Sequence, residues 1–437
     1  MFQAAMFAWI VVFTILSSQT WTADIRSEIG MPLSATNSQF SYPSPLETYS
    51  PVGLQSPPSS NCVIETLSVG VHPIGVVYDG GNGNIYVGNI QSDNLTVVSG
   101  STDKVVATIP VNSNPWGMAY DGGNNEVYVT NANREVYAIS GNTNKVVATV
   151  LVGTNPYYAA YDEGNGDVYV SNDGSNDVSV INGSTNTVVA TVPVSLNPDG
   201  LAYDGENGDI YVLNPGENNV SVISGRTNTV VASVGDTTFM GGDSSGIAYD
   251  GSNGNIYFAN DGSNIVSVIS GSTNKVVATV PVGQGPRGVA YDNRTGNIYV
   301  TNQLSDNVTV INATSDQVIA NIPVGTQVHP FGVAYDGTSG KVYVTDSDAQ
   351  AVSVISDGTG GSACPHPPNP TSSSNSYTFF LIGLIVAVVI VVLIAVTVVK
   401  GRRGRTHPPP STYPPLPASQ PIVDGNPCDR KVDPPIA

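Results

Sequence analysis

An all-β fold built from repeated units is predicted by three features: the composition, a recurring ten-residue string and the spacing of that string. Gly, Asn, Ser, Thr and Val dominate the 437 residues, and Leu is scarce. That mix suits short strands joined by tight turns better than helices. The string "YDGGNGNIYV" at Tyr78 returns as "YDGGNNEVYV" at Tyr120, "YDEGNGDVYV" at Tyr161 and "YDGENGDIYV" at Tyr203. It returns again as "YDGSNGNIYF" at Tyr249, "YDNRTGNIYV" at Tyr291 and "YDGTSGKVYV" at Tyr335. The steps are 42, 41, 42, 46, 42 and 44 residues. A repeated unit of roughly 40 to 45 residues that reads as four strands is the mark of a β-propeller blade. Seven units predict a seven-bladed β-propeller.

Within each unit the strands follow in order. Strand A reads like "GVAYD", B like "NIYVTN", C like "VSVIS" and D like "KVVATVPV". β-branched residues and alternation support each strand, and Gly/Asn clusters bound them. The Gly and Asn of "YDGGNGN" are read as the A–B turn, which needs positive φ. The seventh unit runs from "AVSVIS" at Ala351 into "DGTGGSACPHPPNP" and makes no strand D. "CVIETLSVGVHP" from Cys62 aligns with "KVVATVPVGQGP" from Lys275, so Val63 to Val69 is expected to complete the last blade. The two chain ends then share one blade, and the ring has no open edge. Cys62 opens that strand and Cys364 follows strand C of the same blade. A Cys62–Cys364 disulfide is expected, closing a loop of about 300 residues. Cys428 is expected to stay reduced.

The flanks carry targeting signals. Residues 1–23 read as a signal peptide, although the n-region has no Lys or Arg, so an uncleaved anchor is the alternative. Residues 24–61 are a Ser/Pro-rich linker. The propeller spans 62–358, and 359–377 form a short stalk. Residues 378–399 are apolar, uncharged and long enough to cross a bilayer. "KGRRGR" follows at once, so residues 400–437 are a cytoplasmic Pro-rich tail by the positive-inside bias. The expectation is a single-pass type I membrane protein at the cell surface, with the propeller outside. Nine basic and 31 acidic residues precede Lys400. That excess argues against nucleic acid as a partner. Six Asn-x-Ser/Thr sequons lie in this part, at Asn94, Asn182, Asn219, Asn293, Asn307 and Asn312, and are candidate glycosylation sites.

Strand B ends in "YVTN" at Tyr128 and Tyr299, and in "YVGN", "YVSN", "YVLN", "YFAN" and "YVTD" elsewhere. On this motif, in register seven times, the chain resembles the YVTN-repeat β-propeller family from Cys62 to Gly358. The resemblance implies seven blades and a cell-surface, archaeal surface-layer-like setting. The wider superfamily includes lactonases and quinone- or haem-dependent enzymes, so fold alone leaves the chemistry open.

Repeated residues are read as structural. Tyr86, Tyr128, Tyr169, Tyr211, Tyr257, Tyr299 and Tyr343 are expected to pack between blades. The residue ending strand B (Asn89, Asn131, Asn172, Asn214, Asn260, Asn302 and Asp346) is expected to bond local backbone in a turn. Function is sought where the repeats differ. The residue between Pro and Gly at the start of strand A is expected at the mouth of the central channel. In order it is Ile74, Trp116, Tyr157, Asp199, Ser245, Arg287 and Phe331. Blade three has Tyr158 in place of the Gly, and blade five loses the Pro. The ligand-binding candidates are Trp116, Tyr157, Asp199, Arg287 and Phe331. His72 and His329 precede Pro73 and Pro330 in blades that adjoin after closure. They are the metal candidates, with an acid such as Asp243. No cofactor is expected beyond a metal at that mouth.

The sequence contains no Gly-x-Ser-x-Gly elbow, His-Glu-x-x-His, Cys-x-x-Cys-His or EF-hand loop. The function predicted is a membrane-anchored extracellular propeller that binds a protein or glycan or serves the cell envelope. The alternative is a membrane-tethered enzyme, lactonase-like or metal-dependent, working at the channel mouth.

Overall fold

The computed structural model describes residues 61–235 and 246–359. All of them belong to the unit Pro58–Ala437. The signal peptide, linker, stalk, membrane segment and tail lie outside the described residues, as do Asp243, Ser245, Cys364 and Cys428. Among the described residues no helix is long and apolar enough to cross a membrane.

The described residues form seven four-stranded antiparallel sheets. Blade one comprises Pro73–Asp79, Asn84–Asn89, Asn94–Ser99 and Lys104–Pro110, strands A to D in order. In blade seven, Pro330–Asp336, Lys341–Asp346 and Ala351–Ser356 are followed by the N-terminal strand Cys62–Ser68. The closing strand begins one residue earlier than expected and runs from Cys62 opposite Ser356 to Ser68 opposite Ala351. The meander places every A–B and C–D hairpin on one side of a blade. Every B–C turn and D–A crossing lies on the other.

The repeated string now has a physical account. The Asp that ends strand A is buried, and its Oδ1 accepts turn N–H groups. Asp79 takes those of Gly81 (2.9 Å) and Asn82 (3.2 Å), and Asp121 repeats this with Gly123 and Asn124. The residue closing the turn has positive φ: 74° at Gly83, 56° at Asn125 and 77° at Gly166. Only Gly or a short amide adopts that region at small cost.

"YVTN" divides its labour. The Tyr is fully buried, and its hydroxyl crosses to the next blade's C–D turn. Tyr86 donates to Asn144 Oδ1 (2.6 Å), Tyr128 to Asn186 (2.6 Å), Tyr169 to Asn228 (2.7 Å) and Tyr211 to Asn274 (2.6 Å). The acceptors themselves have φ between 52° and 54°. Asn thus serves there both as acceptor and as a residue that tolerates the left-handed region. The Val packs between sheets: Tyr86, Leu95, Val97 and Ile109 of blade one form one cluster with Val127, Val129 and Ile139 of blade two. The Thr clamps neighbours. Thr301 Oγ1 accepts from Gly288 N within its blade (2.7 Å) and donates to the Phe331 carbonyl of the next (2.6 Å).

The final Asn bonds local backbone in part, as expected: Asn89 donates to the Asn94 carbonyl (3.2 Å), Asn214 to that of Val212 (3.1 Å) and Asn302 to that of Val300 (3.3 Å). Its amide also reaches side chains of strand C: Asn89 to Asn94 Oδ1 (2.9 Å) and Thr96 (3.0 Å), Asn302 to Asn307 Oδ1 (2.8 Å) and Thr309 (2.9 Å). Asn131 bonds local backbone through its Oδ1, which accepts the N–H of Asn133 at 2.7 Å.

Strand D is the outer edge, and each one carries a register shift. The extra residue is Val106, Val147, Val189, Val231, Val277 or Ile319 in six blades, each 52–56% exposed. A bulge on an open edge breaks the ladder that another strand would extend. The same device in every blade explains how so many edges coexist in one molecule.

Candidate binding site at the channel mouth

In blades one, two, six and seven the Pro-x-Gly segment, and in blade three Pro156 to Tyr158, is itself a bulge. Pro73 pairs with Asn89 and Val76 with Val87, so Ile74 and Gly75 face the single residue Gly88. The bulge leaves the ladder at the inner strand and turns these residues toward the axis. There the A strands of all seven blades line a central cavity of about 160 Å³, through Ile74, Val76, Met118, Tyr158, Leu201, Ile247, Val289, Phe331 and their neighbours. Glycine is needed at positions 75 and 332 because the strands approach so closely there. A Cβ on Gly332 would run into the Ile74 carbonyl oxygen, and one on Gly75 into that of Trp116.

The variable residues are brought together in part. Trp116 and Tyr157, from blades two and three, stack with centroids 4.9 Å apart at 27°. Tyr158 lies 6.2 Å from Tyr157, tilted by 41°. Across the ring, the Arg287 guanidinium lies 5.5 Å above the Phe331 ring. It also pairs with Asp261 (3.2 Å) and donates to Gln303 (3.0 Å), so its charge is balanced within the site. Trp116, Tyr157, Tyr158 and Phe331 are half-buried, whereas Ile74 and Asp199 are buried and present little surface. Of the five candidates, Phe331 lines the cavity; the Trp116–Tyr157 stack adjoins it through Gly117 and Tyr158, and Arg287 through Gly288.

His72 and His329 do approach one another. Their Nδ1 atoms lie 3.7 and 2.6 Å from the two carboxylate oxygens of Asp348. The acid is the one in the B–C turn of blade seven; nothing in the sequence pattern pointed to it. Both histidines have positive φ, 57° and 51°. Asn114, Asn155, Asn197 and Gly285 hold the equivalent place in other blades and share that conformation. The turn thus accounts for a small or turn-forming residue there, and the carboxylate for histidine. Among the described residues no group of three or more His, Cys, Asp or Glu could hold a metal ion. Nearby Asp306 is pushed up by burial. The N–H groups of His329, Gln327 and Val328 and the His329 charge outweigh this, leaving its carboxyl below the ordinary value.

Sequence reasoning grouped Asp346 with the six Asn that end strand B as a turn former. It is 1% exposed, Oδ2 accepts from Ser353 (2.7 Å), and Oδ1 has no partner among the described residues. Burial raises its carboxyl to about 7, against the lowering effect of the Ser353 hydrogen bonds. The signal was visible as "YVTD" in place of "YVTN".

The family model for YNCE-like beta-propellers matches residues 66–336. The chain belongs to the YNCE-like beta-propeller family. No curated protein matches it in sequence. Among solved structures it is similar to "Kuenenia stuttgartiensis Hydrazine Synthase", at 18% identity and a TM-score of 0.58, covering 65% of this chain and 95% of that one. At that identity the likeness concerns the fold alone.

Proposed function

We propose that this YNCE-like propeller is a membrane-anchored binding protein of the cell surface, holding its partner at the channel mouth. The single observation that carries the reading is where the blades stop agreeing. In a frame whose Tyr, Asp and Asn recur blade after blade, the variable positions include the Trp116–Tyr157 stack and the Arg287–Phe331 pair. Large aromatic and Arg side chains are the groups that dominate binding energy in interfaces. The apolar segments at 1–23 and 378–399, with "KGRRGR" after the second, support an outward-facing propeller and a surface-layer-like setting. An extracytoplasmic protein or glycan is the partner class that fits.

Capture of cell-surface material by the full chain tests this. Binding lost on combining Trp116→Ala with Phe331→Ala supports the mouth as the site, and binding that survives the pair rejects it. Stoichiometric metal retained by the purified chain, and lost on His72→Ala with His329→Ala, would favour the metal-dependent enzyme instead.

A further inference from the structure

The six sequons fall into two structural classes. Asn94, Asn219 and Asn307 each begin a strand C. Their side chains are held at both ends. Asn94 donates to the Ser92 carbonyl (2.9 Å) and accepts from Asn89 (2.9 Å). Asn307 donates to the Ser305 carbonyl (3.2 Å) and accepts from Asn302 (2.8 Å). Asn219 donates to Ser195 (3.1 Å) and accepts from Asn214 (3.0 Å). The hydroxyl residue two positions on is entombed in each case: Thr96 is 4% exposed, Ser221 2% and Thr309 0%.

The other three lie in turns. Asn293 is exposed in the A–B turn of blade six, and its side chain has no hydrogen bond among the described residues. Asn182 and Asn312 end strands C of blades three and six and open C–D turns. Asn182 donates to Asp167 (3.2 Å) and accepts from Thr185 N (3.2 Å), and Asn312 accepts from Ser315 N (3.1 Å), so what sets them apart from the strand-C sites is the exposed hydroxyl residue two positions on, Ser184 and Thr314. All three turns are on the hairpin side of their blades. The channel-mouth residues follow D–A crossings, on the opposite side.

We infer that Asn293, with Asn182 and Asn312, takes N-linked glycans, and that Asn94, Asn219 and Asn307 do not. Glycans would then cover the hairpin face and leave the mouth bare. This rests on the surface reading, since the donor is an oligosaccharide joined through phosphate to a membrane lipid. In the transfer, Nδ2 gives up a proton to the transferase and bonds to the anomeric carbon. The carbon–oxygen bond to the phosphate breaks, and the lipid phosphate leaves with the electron pair. A transferase must reach both the amide and the hydroxyl of the sequon; the strand-C sites leave the amide half-buried but bury the hydroxyl.

The test is glycopeptide mapping of the full chain made in an N-glycosylating host, with Asn293→Gln alongside. Expected are a glycan at Asn293, glycans at Asn182 and Asn312, bare Asn94, Asn219 and Asn307, and loss of one glycan's mass in Asn293→Gln. A glycan on any strand-C site, or a bare Asn293 on a chain that protease digestion shows to be outside the cell, overturns the inference and leaves the surface reading standing. A chain whose propeller stays in the cytoplasm overturns both.

Discussion

The Thr345 hydroxyl of blade seven donates to the Ile74 carbonyl of blade one at 2.9 Å, across 271 residues of chain. The same oxygen accepts from Gly332 N at 2.7 Å. One hydroxyl therefore ties an inner strand to its own sheet and to the next, at the joint where the ring closes. Thr345→Val keeps the shape and removes both bonds, leaving a buried donor and acceptor. It is expected to cost about 1–3 kcal/mol. Urea unfolding measures this, and an unchanged midpoint would show the clamp to be incidental.

The tyrosine bridges make a paired prediction. Tyr257 donates to Asp316 Oδ1 at 3.0 Å in the next blade. Tyr299 has no such partner among the described residues, because blade seven draws its strand D from the other chain end and has no C–D turn. Tyr257→Phe should destabilise by about 1 kcal/mol, while Tyr299→Phe should be neutral or stabilising. Equal losses in the two variants, by the same unfolding measurement, would contradict the assignment.

Asp346 makes closure sensitive to pH. Its folded carboxyl titrates near 7, against 3.8 for the ordinary group. Below the ordinary value both folded and unfolded chains hold the proton, and no stability is lost. As pH rises from there toward 7, only the unfolded chain ionises, so stability falls; above 7 the loss is complete. The loss is at most about 4 kcal/mol. Asp346→Asn restores the residue of the other six blades. It should raise the melting temperature at pH 8, change it little at pH 4 and flatten the curve between. A variant no more stable than the parent at pH 8 would refute this.

Cys62 begins the closing strand, and Cys364 is its expected partner. Non-reducing peptide mapping of chain secreted into an oxidising compartment should yield a Cys62–Cys364 peptide. Cys62→Ser should lower stability by about 2–5 kcal/mol. Unlinked cysteines would leave closure to the strand ladder and the Thr345 clamp alone.

How much of this was legible depends on whether the information repeats. Blade number, strand order and the closing strand could be read because Tyr-Asp and its turn return in register, and because "CVIETLSVG" fills the gap left after Ala351. Contacts between blades were harder. The partner of a Tyr hydroxyl lies about 58 residues on, a distance set by radial geometry rather than by the local pattern. The candidate mouth residues were found from their variability, but variability does not distinguish the buried Asp199 from the half-buried Trp116. Asp348 escaped notice because a turn acid is unremarkable until two histidines from adjoining blades meet it.

The chain contains three Trp residues, at 9, 21 and 116. With Trp9→Phe and Trp21→Phe, Trp116 is the sole reporter, and it stacks on Tyr157 at the mouth. Titrating that full-length variant with a fractionated cell-surface extract should give a saturable change in emission. Tyr157→Ala should weaken the response about tenfold or more. A fraction that binds the chain, leaves Trp116 emission unchanged and binds the Tyr157→Ala variant equally well would place recognition away from the mouth.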